Sequence, residues 1–160
     1  PAVGTAFKIL AAKTGIYGMI GGQSVDVEYE GKPLTEEQLC FIYRLKTSAL
    51  IEASMMIGAV LAGASAADVE KIEQIARKVG MAFQIQDDIL DVIGDADTLG
   101  KATKSDEKNN KTTYVSVKGL KQAQQDVAEY SKEAVRLLSE LPCENEFLKE
   151  LILNLIHRNA

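Results

Sequence analysis

The residues with the most chemistry in this sequence lie in one stretch, Gln84-Ile85-Gln86-Asp87-Asp88-Ile89-Leu90-Asp91, preceded by Met81-Ala82-Phe83 and followed by Val92-Ile93. Wound as a helix at about 100° per residue, it places Gln84, Asp87, Asp88 and Asp91 within an arc of roughly 100°. Ala82, Phe83, Ile85, Ile89, Leu90, Val92 and Ile93 fill most of the remaining circumference. A helix apolar over that much of its surface belongs in a core. Clustered carboxylates in a core repel one another and lose hydration, so something must neutralise them. The candidates are a hard divalent cation, a Lys/Arg cluster, or both. Magnesium suits the pattern best, because it takes one or two carboxylates, keeps waters and borrows substrate phosphates. The competing reading is a solvated acidic face, the common fate of Asp pairs on helices. The absence of lysine and arginine from Gly80 to Ile93, and the continuous apolar face opposite, weigh against it.

Cations stand on either side of the stripe. Gly94 to Lys101 reads as a loop, and the polar run after it adds Lys104, Lys108 and Lys111. A basic polar loop is by itself only a solvated connection. No other part of the chain has this lysine density, however, and it adjoins the acids. Phosphate oxygens shared between a metal and lysines would account for both halves together. Upstream, Lys46-Thr47 precedes a half-helix that carries no charge from Ala53 to Ala64. For Lys46 a snorkelling surface lysine stands as an equal alternative. Gly21-Gly22-Gln23-Ser24-Val25-Asp26 offers glycines that either admit a backbone or ligand or simply punctuate the chain. His157, the single histidine, reads as a helix-terminus residue rather than a catalyst.

The elements that must position these groups read as helices throughout. Ala2 to Ile20 is small and apolar and predicts a tightly packed helix. Glu30-Gly31-Lys32-Pro33 is a turn. Thr35, with acids at Glu36 and Glu37 and a glutamine at Gln38, forms a helix start. It opens a long helix from about Glu36 to Leu61, ended by Ala62-Gly63-Ala64-Ser65. Another runs from Ala66 or Ala67 through the stripe to about Ile93. Thr112 to Val117 predicts a helical turn or two, Gly119 to Leu141 an amphipathic helix stopped by Pro142, and Glu144 to Arg158 a last helix. A chain of 160 residues is a natural single domain. Hydrophobic content of 46% and charged content of 26% are those of a globular protein. A net charge of −5 argues against nucleic acid as a partner. Cys40 and Cys143 lack metal-ligand spacing and read as free thiols in a reducing cytosol. Neither a signal peptide nor a transmembrane segment is visible.

Phe83 to Asp91 resembles the second aspartate-rich motif of the trans-isoprenyl diphosphate synthases, the farnesyl and geranylgeranyl diphosphate synthase family. Leu99-Gly100-Lys101 and Asn109-Asn110-Lys111-Thr112-Thr113-Tyr114 resemble the segment that follows it there. Lys46-Thr47 is similar to the family's Lys-Thr motif, and Gly21 to Asp26 to its Gly-Gln-x-x-Asp motif. The order of these elements makes the likeness specific, where a lone Asp-Asp-x-x-Asp would be weak. The resemblance implies an all-α bundle of helices around a central cavity (the isoprenoid synthase fold), usually homodimeric. It implies transfer of a prenyl group from an allylic diphosphate to isopentenyl diphosphate, with magnesium as cofactor. Farnesyl or geranylgeranyl diphosphate would be the product. Carried over residue by residue, Asp87 is a metal ligand, and Asp88 and Asp91 are ligands or outer-shell partners. Lys46 and Lys101 bind the allylic diphosphate, with Lys111 beside them. Thr47 and Gln84 stand by the reacting carbon, and Gln23 and Asp26 face the cavity.

The family sets two aspartate-rich motifs face to face across its cavity, and Pro1 to Gly80 contains no second Asp-Asp cluster of that spacing. Residues 1–160 are therefore expected to be the C-terminal part of a single isoprenoid synthase domain, incomplete on its N-terminal side. Such a bundle would expose an apolar wall and would not complete the reaction alone. The alternatives are a class I terpene cyclase or a non-catalytic diphosphate-binding subunit. The Asn-Ser-Glu-type motif of cyclases is not found, and the intact Asp87, Asp88, Asp91, Lys46 and Lys101 argue against decay of the site.

Overall fold

The helix through the aspartate stripe is the axis of the fold. In the computed structural model, which describes residues 1–93 and 111–156, it spans Ala66–Ile93 and is 28 residues long. The order is α1 (Ala2–Thr14), α2 (Met19–Glu28), α3 (Glu36–Ile42), a π-helical segment π1 (Tyr43–Ser48), α4 (Ala49–Leu61), α5 (Ala66–Ile93), α6 (Tyr114–Lys118), α7 (Leu120–Leu138) and α8 (Glu146–Ile156). Among the described residues every regular element is a helix, as the sequence predicts.

Helix α5 begins where Ser65 accepts a hydrogen bond from the Asp68 N–H at 3.2 Å. It buries Ile72, Ile75, Ala76, Val79, Ala82, Ile85 and Ile89, spaced at helical intervals. Its principal neighbours are α7 on one side and α4 on the other. The amphipathic α7 contributes Ala123, Val127, Ala134, Leu137 and Leu138 to that core, and α8 closes it with Ile152 and Ile156. Val92 and Ile93, at the far end of α5, are exposed rather than buried.

The first helix differs from expectation. It ends at Thr14, where Gly15 turns extended (ψ −164°), and α2 starts afresh at Met19. Nor is it tightly packed. Ala6 is its only buried residue, while Val3, Phe7 and Leu10 line an exposed apolar stripe. The expected apolar wall thus includes Val3, Phe7 and Leu10 of α1, which stay exposed among the described residues. Gly21 and Gly22 do not punctuate the chain, because both lie inside α2.

The long second helix is present, with the expected start. Thr35 accepts from the Gln38 N–H at 3.3 Å, and the Gln38 side chain accepts from the Thr35 N–H at 3.0 Å. Its middle, Tyr43–Ser48, is wound as a π-helix. Such single turns often mark functional sites. Here the packing is close on two sides of π1. A Cβ at Gly22 would fall 2.4 Å from the backbone nitrogen of Lys46. A Cβ at Gly80 would fall 2.6 Å from Cα of Ser48. Only glycine lets α2 and α5 come this close.

A buried acid, Glu52, helps lock the first helices together. Lys13 of α1 contacts Glu52 and also reaches Glu73 at 2.5 Å, while Arg77 reaches Glu52 and Glu73, each at 3.3 Å. Glu52 would be costly without these cations. Both Cys40 and Cys143 are free. Among the described residues no helix is long and apolar enough to cross a membrane.

The glycine contacts yield a paired prediction. Gly80→Ala should lower the unfolding free energy by about 1–3 kcal/mol through overpacking. Gly58→Ala, whose Cβ would meet nothing within 4 Å, should raise it by about 0.5–1 kcal/mol through helix propensity. Urea melts of the two variants check the opposite signs.

Candidate active site

The π-helical turn brings Lys46 and Thr47 against different neighbours. The Thr47 hydroxyl donates to Oε1 of Gln84 at 2.8 Å, joining π1 to the stripe helix. Lys46 turns to α2, where its Nζ lies 2.5 Å from Oδ2 of Asp26. Lys111 approaches the other oxygen of the same carboxylate at 3.8 Å. Asp26 is thus shared by cations from separate parts of the chain. Gln23, Asp26, Lys111 and Thr112 line a cavity of about 350 Å³, and the Thr112 hydroxyl accepts the Leu34 N–H at 3.2 Å at its edge. So α2, π1 and the segment before α6 meet around Asp26.

The acidic stripe divides where the sequence reads a single face. Asp87 is half-buried, and Asp88 and Asp91 are buried. Asp88 is directed inward. Its Oδ2 accepts the Tyr43 hydroxyl at 2.5 Å and the Tyr114 backbone N–H at 2.6 Å. Among the described residues no three His, Cys, Asp or Glu side chains converge closely enough to hold a metal by themselves. Lys101, with Lys104 and Lys108, lies outside the described residues, as does His157.

Sequence reasoning did not single out Tyr43, Glu52 or Asp126, and met Tyr114 only as the end of the segment Asn109 to Tyr114. The Tyr114 hydroxyl donates to Asp126 at 2.7 Å, and Gln122 donates to the other oxygen of Asp126 at 2.8 Å. The signal for Tyr43 was a polar aromatic directly after the apolar run Leu39-Cys40-Phe41-Ile42. Asp126 and Glu52 gave none, because an isolated acid on an amphipathic helix reads as surface. Burial, and next its hydrogen bond to Asp126, push the Tyr114 phenol well above the ordinary tyrosine range.

An all-helical bundle with a Lys-Thr turn set against an Asp-rich helix is the arrangement that the resemblance to the isoprenyl diphosphate synthases implies. The fold matches the crystal structure of heptaprenyl diphosphate synthase from Staphylococcus aureus with a TM-score of 0.88, at 21% identity, over 98% of this chain and 60% of that one. The chain belongs to the polyprenyl synthetase family, whose profile matches residues 5–152. It is 39% identical over 154 residues to farnesyl diphosphate synthase of Escherichia coli (strain K12), covering 94% of this chain and 52% of that protein. It is 40% identical over 130 residues to the chloroplastic geranylgeranyl pyrophosphate synthase of Capsicum annuum, covering 81% and 35%. A geranyltransferase from Helicobacter pylori, solved with magnesium and isoprenyl diphosphate, superposes with a TM-score of 0.80 at 34% identity, covering 97% of this chain and 51% of that one. The chain spans about half the length of the curated relatives it matches.

The Tyr114 shift fixes the sign of a pH effect. The folded phenol ionises later than the unfolded one, whose ordinary value is 10.0. The stability it supplies is therefore complete below about pH 10 and is lost as the pH rises further. Tyr114→Phe should flatten the alkaline limb of the stability profile in urea melts from about pH 9 to about pH 11. Tyr130, also raised by burial, should retain part of the slope. An unchanged limb would mean that Tyr114 ionises normally.

Proposed function

We propose that this chain carries the diphosphate-binding half of a prenyl transfer site. The reaction would condense an allylic diphosphate with isopentenyl diphosphate to a longer trans-prenyl diphosphate of the farnesyl or geranylgeranyl class. The observation that supports it best is the meeting of the Lys46-Thr47 turn with Gln84 one helical turn before Asp87 and Asp88, in a family whose named relatives are such synthases.

The donor set fits magnesium. Asp87 and Asp91, one turn apart on α5, offer hard oxygen donors in the number this ion takes from protein, with the rest left to water and phosphate. Asp88 stands behind them, one oxygen already engaged by Tyr43 and Tyr114. When bound, magnesium would neutralise the charge that develops on the departing diphosphate. Lys46 would exchange its contact with Asp26 for a diphosphate oxygen, assisted by Lys101. Once Lys46 leaves, Asp26 would keep Lys111 as its counter-ion, and Gln23 lines the same cavity. Thr47 donates to Gln84, so its oxygen lone pairs can face an allylic cation or its departing proton. The apolar side chains of α4 and α5 would keep water from that cation.

The opposing acids of such a clamp are not among these residues, so turnover is proposed for this chain together with the residues that supply them. A cytoplasmic homodimer is proposed on the free thiols of Cys40 and Cys143 and the uncovered stripe of α1. In the full reading frame, calorimetric titration should show magnesium binding that depends on inorganic pyrophosphate and is lost in Asp87→Asn. Lys46→Ala should lower kcat/KM by about tenfold or more, the worth of one charge-assisted hydrogen bond. Unaltered kinetics would return Lys46 to the protein surface, and absence of any pyrophosphate-dependent magnesium response would end the reading.

A further inference from the structure

Asp88 is the acid of the stripe with the most specific surroundings. Its accepting oxygen takes a side-chain donor from π1 and a backbone donor from the first residue of α6. Asp88, Tyr43 and Tyr114 are 3%, 5% and 4% exposed, so these hydrogen bonds are made out of water. Tyr43 lies three residues before Lys46 on π1. The i→i+5 winding accompanies a split in direction, with Tyr43 reaching α5 and Lys46 reaching α2. Tyr114 is in turn held by its hydroxyl on Asp126 of α7, so its N–H donor is anchored from the far side.

We infer that Tyr43 is a positioning residue for the aspartate stripe. With the Tyr114 N–H it holds Asp88 inward, so that Asp87 and Asp91 keep a fixed presentation toward a metal–diphosphate ligand. The inference rests on the reading given under Proposed function. Its physical basis has two parts. Concentrating the Asp88 charge on two buried donors relieves its repulsion with the neighbouring acids. The same phenol also ties the Lys-Thr turn to the stripe helix, so that Lys46, Thr47 and Asp87 hold their spacing. Partners that orient ligating carboxylates from behind commonly matter 10–100-fold for metal affinity or activity.

The test uses the full reading frame, with magnesium and inorganic pyrophosphate as the probe. Tyr43→Phe deletes one hydroxyl and keeps the ring. It should weaken magnesium-dependent pyrophosphate binding by about 10–100-fold in calorimetry. The magnesium concentration for half-maximal turnover should rise while the KM for isopentenyl diphosphate stays unchanged. Asp88→Asn keeps an oxygen able to accept from both donors and should lose less binding than Asp88→Ala. Asp88→Ala should resemble Tyr43→Phe, and combining it with Tyr43→Phe should add little, because the two act as one unit. A purely structural tyrosine would lower the melting temperature in chelator and leave pyrophosphate binding as in the parent, which overturns the inference. Loss of binding in Asp88→Asn as severe as in Asp87→Asn would also overturn it, by making Asp88 a direct ligand. That comparison decides the matter even if Tyr43→Phe does not fold. Failure of the parent itself to bind pyrophosphate with magnesium ends both readings, whereas failure confined to the Tyr43 comparison ends only this one.

Discussion

A methyl group at Gly22 or Gly80 would fall 2.4 Å from an atom of the π-helical turn that lies between them, the Lys46 nitrogen in one case and the Ser48 hydroxyl in the other. That double close approach is the constraint on which the site depends. It seats π1 between α2 and α5 with no side chain intervening. Thr47 can then meet Gln84, Tyr43 can meet Asp88, and Lys46 can meet Asp26, all from one short turn. Interiors are packed too densely to absorb a displacement of that size silently. A shift of either helix would therefore separate several polar pairs together.

The charges are arranged to be matched locally rather than pooled. Asp26 has Lys46 and Lys111, Glu52 has Lys13 and Arg77, and Asp88 has a phenol and a backbone N–H. Among the described residues no buried side-chain nitrogen or oxygen lacks a hydrogen-bond partner. Ion pairs this sheltered are poor evidence for stability, but breaking one leaves an uncompensated buried charge. Asp26 differs from Glu52 in being approached by two lysines, one of them in the Lys-Thr turn. If Lys46 turned elsewhere, Asp26 would not be stranded, because Lys111 stays. Glu52 sits in an interhelical lock and has no such spare role.

The relation of this chain to its relatives gives the exposed apolar surface a meaning. The chain spans about half the length of the curated relatives it matches. Val3, Phe7 and Leu10 on α1, and Ile16, Tyr17 and Ile20 after it, are exposed large hydrophobics. Contiguous apolar surface of this kind marks places where protein meets protein.

Much of the fold was legible from local signals. The Thr35 capping box, the apolar period of α5 and the amphipathic period of α7 each follow from neighbouring residues, so the sequence alone determined the helices and their approximate ends. The order of Asp-rich, Lys-Thr and Gly-Gln motifs likewise determined the family. Misreadings arose where a distant partner decides the outcome. Gly21-Gly22 leaves a break and a close backbone approach both open until the backbone of Lys46 is seen against Gly22. Ala2 to Ile20 reads as a packed helix because composition does not say what is available to pack on it. Three acids within one arc read as one face, since a helical wheel carries no record of Tyr43 or of the Tyr114 N–H. The π winding was not read from the sequence, and it lies where α2 and α5 both approach closely at glycines. Types and spacing are written along the chain, but which carboxylate faces inward depends on donors 45 and 26 residues away, and only tertiary packing brings them within reach.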